Sequence, residues 1–87
     1  MNDESLIEYP CRFPIKIMGK ATIDLKMAVD TIVSAHVPDG DLIELTVRDS
    51  GKENYHAYTV IITATSQEQL DGIYLALTDC EHVIMAL

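Results

Sequence analysis

The chain has 87 residues, 48% of them apolar and 23% charged, and six Lys and Arg stand against fourteen Asp and Glu for a net charge of −8. That length and apolar content predict one domain with a real core rather than a disordered chain. The acidic balance argues against a sequence-independent nucleic-acid binder and against docking on anionic membranes, both of which need cationic surface.

The longest uninterrupted apolar run is Val83-Ile84-Met85-Ala86-Leu87, far below the ~20 residues that span a bilayer. Met1-Asn2-Asp3-Glu4 is acidic and lacks the apolar segment of a signal peptide. The two cysteines, Cys11 and Cys80, are not in a CxxC spacing. Together these predict a cytoplasmic protein with reduced thiols.

Residues 1–10 are polar or mixed and end in Tyr9-Pro10, which predicts a loose N-terminal tail ahead of a domain over 11–87. Residues 11–18 alternate. Phe13, Ile15 and Ile17 take one side and Arg12, Pro14, Lys16 and Met18 the other, the period of a half-buried strand. Pro14 lacks an N–H, so regular pairing is expected from Pro14 onward, with Gly19 ending the strand. Over 22–36 the period changes. Leu25, Ala28, Val29, Ile32, Val33 and His36 form one helical stripe behind a Thr22 N-cap. Pro38-Asp39-Gly40-Asp41 breaks that helix.

Ile43, Leu45 and Val47 alternate with Glu44, Thr46 and Arg48, giving a second strand over 42–49. After the polar turn Ser50–Asn54, residues 55–64 put His56, Tyr58, Val60, Ile62 and Ala64 on one face, so the two strands read as a hairpin. Ser66-Gln67-Glu68-Gln69 fits a capping box, with Gln69 reaching back to the cap N–H. Leu70, Ile73, Tyr74 and Leu77 then mark a second helix, interrupted by Gly72. Residues 82–87 read as a last strand, with Val83, Met85 and Leu87 inward and His82, Ile84 and Ala86 outward.

The order strand, helix, strand, strand, helix, strand predicts an α+β, ferredoxin-like two-layer sandwich. Its four-stranded antiparallel sheet has the order 4-1-3-2, with both helices on one face.

The residues also resemble a known family. Tyr9-Pro10-Cys11-x-Phe13 and Ile15-Lys16-Ile17-Met18-Gly19 carry the likeness in the first strand. Ser50-Gly51-Lys52-x-Asn54-Tyr55-His56-Ala57, Val60-x-Ile62-x-Ala64-Thr65 and Val83-x-Met85-x-Leu87 continue it over nearly the whole chain. In that pattern the chain resembles the YbeD-like family of small bacterial proteins of unknown function. The resemblance implies the ferredoxin-like fold, a bacterial cytoplasm, and a shape similar to ACT regulatory domains, which bind small effectors at subunit contacts. With no appended catalytic domain, an ACT-type role here would act in trans or by self-association.

A metal site needs three or four converging ligands. His36 maps to one end of the fold, and His56 and His82 to the other on opposite faces, so no metal and no cofactor is expected. Cys80 and His82 lack a third orienting group, and the turn Gly19-Lys20-Ala21-Thr22 lacks the Arg that acylphosphatase-type chemistry needs in this fold. The expectation is a non-catalytic module acting by protein association or by binding a small anionic effector.

The association reading rests on the open sheet face, where Met18, Tyr55, Ala57, Ile61 and Ile84 are expected, with Ala86 beside them and Thr46, Thr59 and Thr63 between. The effector reading rests on Gly19, Lys20, Arg48 and Lys52, which map to one end of the sheet near the first helix N-terminus. The alternative is a single-stranded nucleic-acid binder of the RNA-recognition type on the same open face. Lys16 and Arg48 favour it, while the net charge and a single exposed aromatic, Tyr55, weigh against it.

Overall fold

The computed structural model describes residues 8–49 and 54–87. Its elements are β1 (Cys11–Lys20), α1 (Ile23–His36), β2 (Leu42–Asp49), β3 (Tyr55–Ala64), α2 (Gln67–Asp79) and β4 (Val83–Ala86), with a single 3-10 turn at Asp39–Asp41. The four strands form one antiparallel sheet in the order β2-β3-β1-β4. This is the expected α+β arrangement.

The core lies between the sheet and the helices. Ile15 and Ile17 of β1 and Tyr58, Val60, Ile62 and Ala64 of β3 meet Leu25, Val29 and Val33 of α1 and Leu70, Ile73 and Leu77 of α2, all buried. These are the inward positions of each alternation and each helical stripe. Two caps fix where the helices begin. Thr22 Oγ1 accepts from the Leu25 N–H at 3.2 Å, and Ser66 Oγ accepts from the Gln69 N–H at 3.0 Å. The Gln69 side chain does not return to the cap residue's own N–H. Its Oε1 accepts from the Thr65 N–H at 2.8 Å and its Nε2 donates to the His36 carbonyl at 2.9 Å, tying α2 to the end of α1. The His36 ring in turn covers Gly72, where an added Cβ would stand 3.2 Å from Cδ2. The helical glycine therefore lets α2 approach the His36 ring.

Pairing in β1 starts at Cys11, opposite Ala64, and runs unbroken past Pro14 to Lys20. The expected delay at Pro14 does not occur, for a reason of geometry. Lys16 and Leu87 exchange both backbone bonds, at 2.9 and 2.8 Å, so Lys16 presents its N–H and C=O toward β4. Pro14, two residues earlier, presents its nitrogen to the same side, beyond Leu87, where no ladder partner stands among the described residues. Its missing N–H costs nothing. Of the expected tail, residues 1–7 lie outside the described residues, whereas Tyr9 packs against the core and its hydroxyl donates to Gln67 Oε1 at 3.0 Å. Cys11 and Cys80 are free and sit at opposite ends of the sheet.

Two bulges modify the predicted alternation. In β2 the register shifts between Leu42 and Glu44, leaving Ile43 unopposed. In β4 Gly19 pairs with Val83 but Met18 pairs with Met85, so Ile84 is the extra residue. The second bulge sits where β1 must pass closest to its neighbours. A Cβ at Gly19 would lie 2.3 Å from the His82 carbonyl oxygen and 3.1 Å from both Leu25 methyl carbons. Only glycine fits there.

Two outcomes follow from this packing. Gly19→Ala should lower the unfolding free energy by about 1–3 kcal/mol, the usual cost of overpacking, measured by urea titration. Burial also raises the Tyr58 phenol above its ordinary value of 10.0. The folded state therefore holds that proton after the unfolded chain has lost it, and stability should be level below about pH 9 and fall as pH rises through 10. Tyr58→Phe should flatten that alkaline fall in a chemical-denaturation series, with Tyr74, Tyr9 and Lys26, whose values are also raised, supplying the remainder.

Candidate functional site on the open sheet face

The helices cover one face of the sheet, and the strand alternation delivers a defined set of side chains to the other. From β1 come Arg12, Pro14, Lys16 and Met18; from β3, Tyr55, Ala57, Thr59, Ile61 and Thr63; from β2, Glu44, Thr46 and Arg48. The β4 bulge changes the last contribution. Met85 is carried to this face opposite Met18 and Leu87 follows it, while Ala86, opposite Ile17, turns to the core. The expectation that Met85 and Leu87 are inward and Ala86 outward is therefore corrected. The sequence pattern showed no sign of the extra residue, because one apolar side chain simply follows another there.

Lys16, Met18, Arg48, Ala57, Met85 and Leu87 line a groove of about 350 Å³ on this face, with Asp49 at its end. Its floor is methionine, alanine and leucine, and two of its three charged lining residues, Lys16 and Arg48, are cationic. Asp49 leans toward His56, with Oδ1 3.3 Å from Nε2.

The surrounding charge is segregated. The open face carries Arg12, Lys16 and Arg48, three of the six Lys and Arg, with Lys20 at its rim beside Tyr55. Among the described residues Glu44 is its one carboxylate within the strands' outward set. The helix layer is the reverse. It bears Asp24, Asp30, Glu68, Asp71 and Asp79, and its single cation, Lys26, is 3.0 Å from Asp30. Among the described residues an acidic chain thus gathers most of its cations on a partly apolar sheet face, away from its helices.

The structure divides the residues singled out from sequence. Met18 and Ala57 line the groove, and Tyr55 and Ile61 share its face. Ile84 is 56% exposed, but as the bulge residue it lies apart from them. It borders a depression with Lys20, Thr22, Asp24, Glu81 and His82. Of the four effector candidates, Arg48 joins the groove, Lys20 lies at the rim and Gly19 is buried under the His82 carbonyl. Lys52 lies outside the described residues. Lys16 was legible as an outward cation of β1, and its placement beside Arg48 across β3 emerges only from the strand order. Among the described residues no three His, Cys, Asp or Glu side chains stand together as a metal would need, and no helix is long and apolar enough to cross a membrane.

Residues 4–87 match the family described as Protein of unknown function (DUF493). The chain belongs to that family. It is 44% identical over 89 residues to a UPF0250 protein of Chromobacterium violaceum and 49% identical over 87 residues to one of Nitrosomonas europaea, with all of each chain covered in both cases. The family and these relatives bear out the YbeD-like resemblance read from the sequence. Among solved structures, an uncharacterized protein from Thermotoga maritima superposes with a TM-score of 0.68 at 10% identity, covering 87% of this chain and 92% of that one. At that identity the likeness shows a shared fold and nothing of function.

The bulge makes neighbouring residues of β4 respond oppositely to a charge. Met85→Glu should leave the unfolding free energy within about 1 kcal/mol of wild type, as for exposed positions. Ala86→Glu should lower it by at least about 2 kcal/mol by forcing a carboxylate toward the core. Equal effects at the two positions, measured by denaturant titration, would place both on one side of the sheet.

Proposed function

We propose that the protein is a non-catalytic, cytoplasmic binding module whose open-face groove takes a small amphipathic anion. In the bound state a carboxylate head lies between Lys16 and Arg48, and an apolar body lies over Met18, Ala57 and Met85. The observation that carries this reading is the pairing of two cations with an apolar floor in one groove, on a chain that is otherwise strongly acidic. The groove's volume, about 350 Å³, falls within the size range of small-molecule sites.

Charged donors on both walls supply hydrogen bonds stronger than neutral ones, and the floor rewards an apolar body with burial. A nucleic-acid ligand fits less well. Tyr55 is the single aromatic on the face, and base recognition on an open sheet uses two or three stacking platforms. The ACT-like shape supports an effector role, and the reading places that effector on the sheet rather than at the loops around Gly19.

Methionine methyl resonances test it directly. Leucine, hexanoate and phenylacetate would be titrated into the methyl-labelled protein. Saturable shifts at Met18 and Met85 with none at Met27, which lies on α1, are expected for at least one of these probes. Lys16→Ala should weaken that binding about tenfold, the worth of one charged hydrogen bond. Shifts spread equally over Met27, or none at millimolar probe, would remove the groove from consideration.

A further inference from the structure

We infer that two copies of this chain pair through β2, edge to edge and antiparallel, about a two-fold axis at Thr46. The result is one continuous eight-stranded sheet. The inference rests on the edge of the sheet and needs no ligand in the groove, although Arg48 belongs to both surfaces.

β2 is an outer strand of eight residues with β3 on one side only. Natural edges are usually protected by Pro, charged side chains (above all Lys), shortness or a bulge. β2 has neither Pro nor Lys, its outward charges Glu44 and Arg48 are of opposite sign, and its one bulge, at Ile43, leaves Glu44–Asp49 regular.

Among the described residues, five of the nine exposed large apolar side chains gather along this edge. Leu42, Ile43 and Val47 are exposed on β2. Ile23 of α1 shares a depression with Val47, and Met27 follows Ile23 by one helical turn on the same face. Ile23 and Met27 are 66% and 60% exposed, so these two apolar side chains of α1 lack cover among the described residues.

The backbone parity of the sheet can be followed outward from one known pair. Lys16 bonds toward β4, so Ile15 and Ile17 bond toward β3, opposite Val60 and Tyr58. Thr59 and Ala57 then bond toward β2, opposite Thr46 and Arg48. Leu45 and Val47 are left with their N–H and C=O groups directed at the free edge.

An antiparallel mate must match these groups and keep outward side chains opposite outward ones. Four two-fold registers within the regular stretch do so, centred on Leu45, Thr46, Val47 or Arg48. Only the Thr46 register sets Glu44 of each copy opposite Arg48 of the other. It also makes Leu45 and Val47 the hydrogen-bonded partners on the helix side. Glu44 and Arg48 then form the non-hydrogen-bonded pair, whose side chains approach most closely. The strand is complementary to itself in charge, in backbone and in apolar content, which specifies a second copy as the occupant.

Charge reversal tests both the edge and the register. E44R and R48E change exposed side chains on the open face and should leave the melting temperature of the isolated subunit unchanged. In sedimentation equilibrium each single variant should raise the dimer dissociation constant about tenfold or more, because each places like charges opposite one another twice. The double variant E44R/R48E restores opposite charges in the Thr46 register and should return the constant to within about threefold of wild type. A wild-type chain that stays monomeric at 0.5 mM, single variants that dimerise as wild type does, or a double variant no better than the singles would overturn the proposal.

Discussion

The ten-residue antiparallel ladder between β1 and β3 is the element on which the rest of the molecule depends. Each strand alternates strictly, so one register decides at once which side chains enter the core and which reach the open face. Ile15, Ile17, Val60 and Ile62 are almost wholly buried by it, and Lys16, Met18 and Ala57 are turned outward by the same parity. A slip of β1 by one residue would bury Lys16 and Arg12 and expose Ile15 and Ile17, two of the largest fully buried side chains, which makes the register energetically unambiguous.

Around this ladder the outer strands are fitted with local irregularities. β4 is short and reaches β1 only where the chain has a glycine. The His82 carbonyl occupies the space a side chain would need at Gly19, and the bulge at Ile84 lets the strand resume pairing after that close approach. The bulge then rotates Met85 and Leu87 onto the open face, where they complete the groove floor. A packing constraint at the core thus determines the composition of a surface site. The cap network at Thr65, Ser66 and Gln69 has a comparable double role. It starts α2 and, through the His36 carbonyl, holds the two helices in a fixed relation.

The features that could be read from the sequence were those that repeat. Period-two runs at Phe13–Ile17 and Tyr58–Ala64 and the stripe from Leu25 to Val33 each present several residues that agree, so the fold and its core were accessible from pattern alone. A bulge is a single event. At Val83–Leu87 every residue is apolar, and nothing in their chemistry distinguishes Ile84 from Met85 as the inserted one. The loop cluster around Gly19 was drawn from the end of the sheet its residues share; the structure adds that Gly19 admits a carbonyl and that Arg48 belongs to the open face. Pro14 misled because proline is judged against a ladder on both sides, and at that position β1 has one only.

The segregation of charge between the two layers has a consequence at distances where no contact exists. Carboxylates on the helix side and guanidinium and ammonium groups on the sheet side give the molecule an electric dipole running roughly along the sheet normal. An approaching anion is repelled by the net charge but experiences a torque that turns the subunit until the sheet leads. Orientation is thereby settled during diffusion, before any short-range interaction begins. This steering acts over about a Debye length, ~8 Å at physiological ionic strength, and weakens as salt is added. The arrangement of a few residues on β1 and β2 thus sets the direction of that dipole.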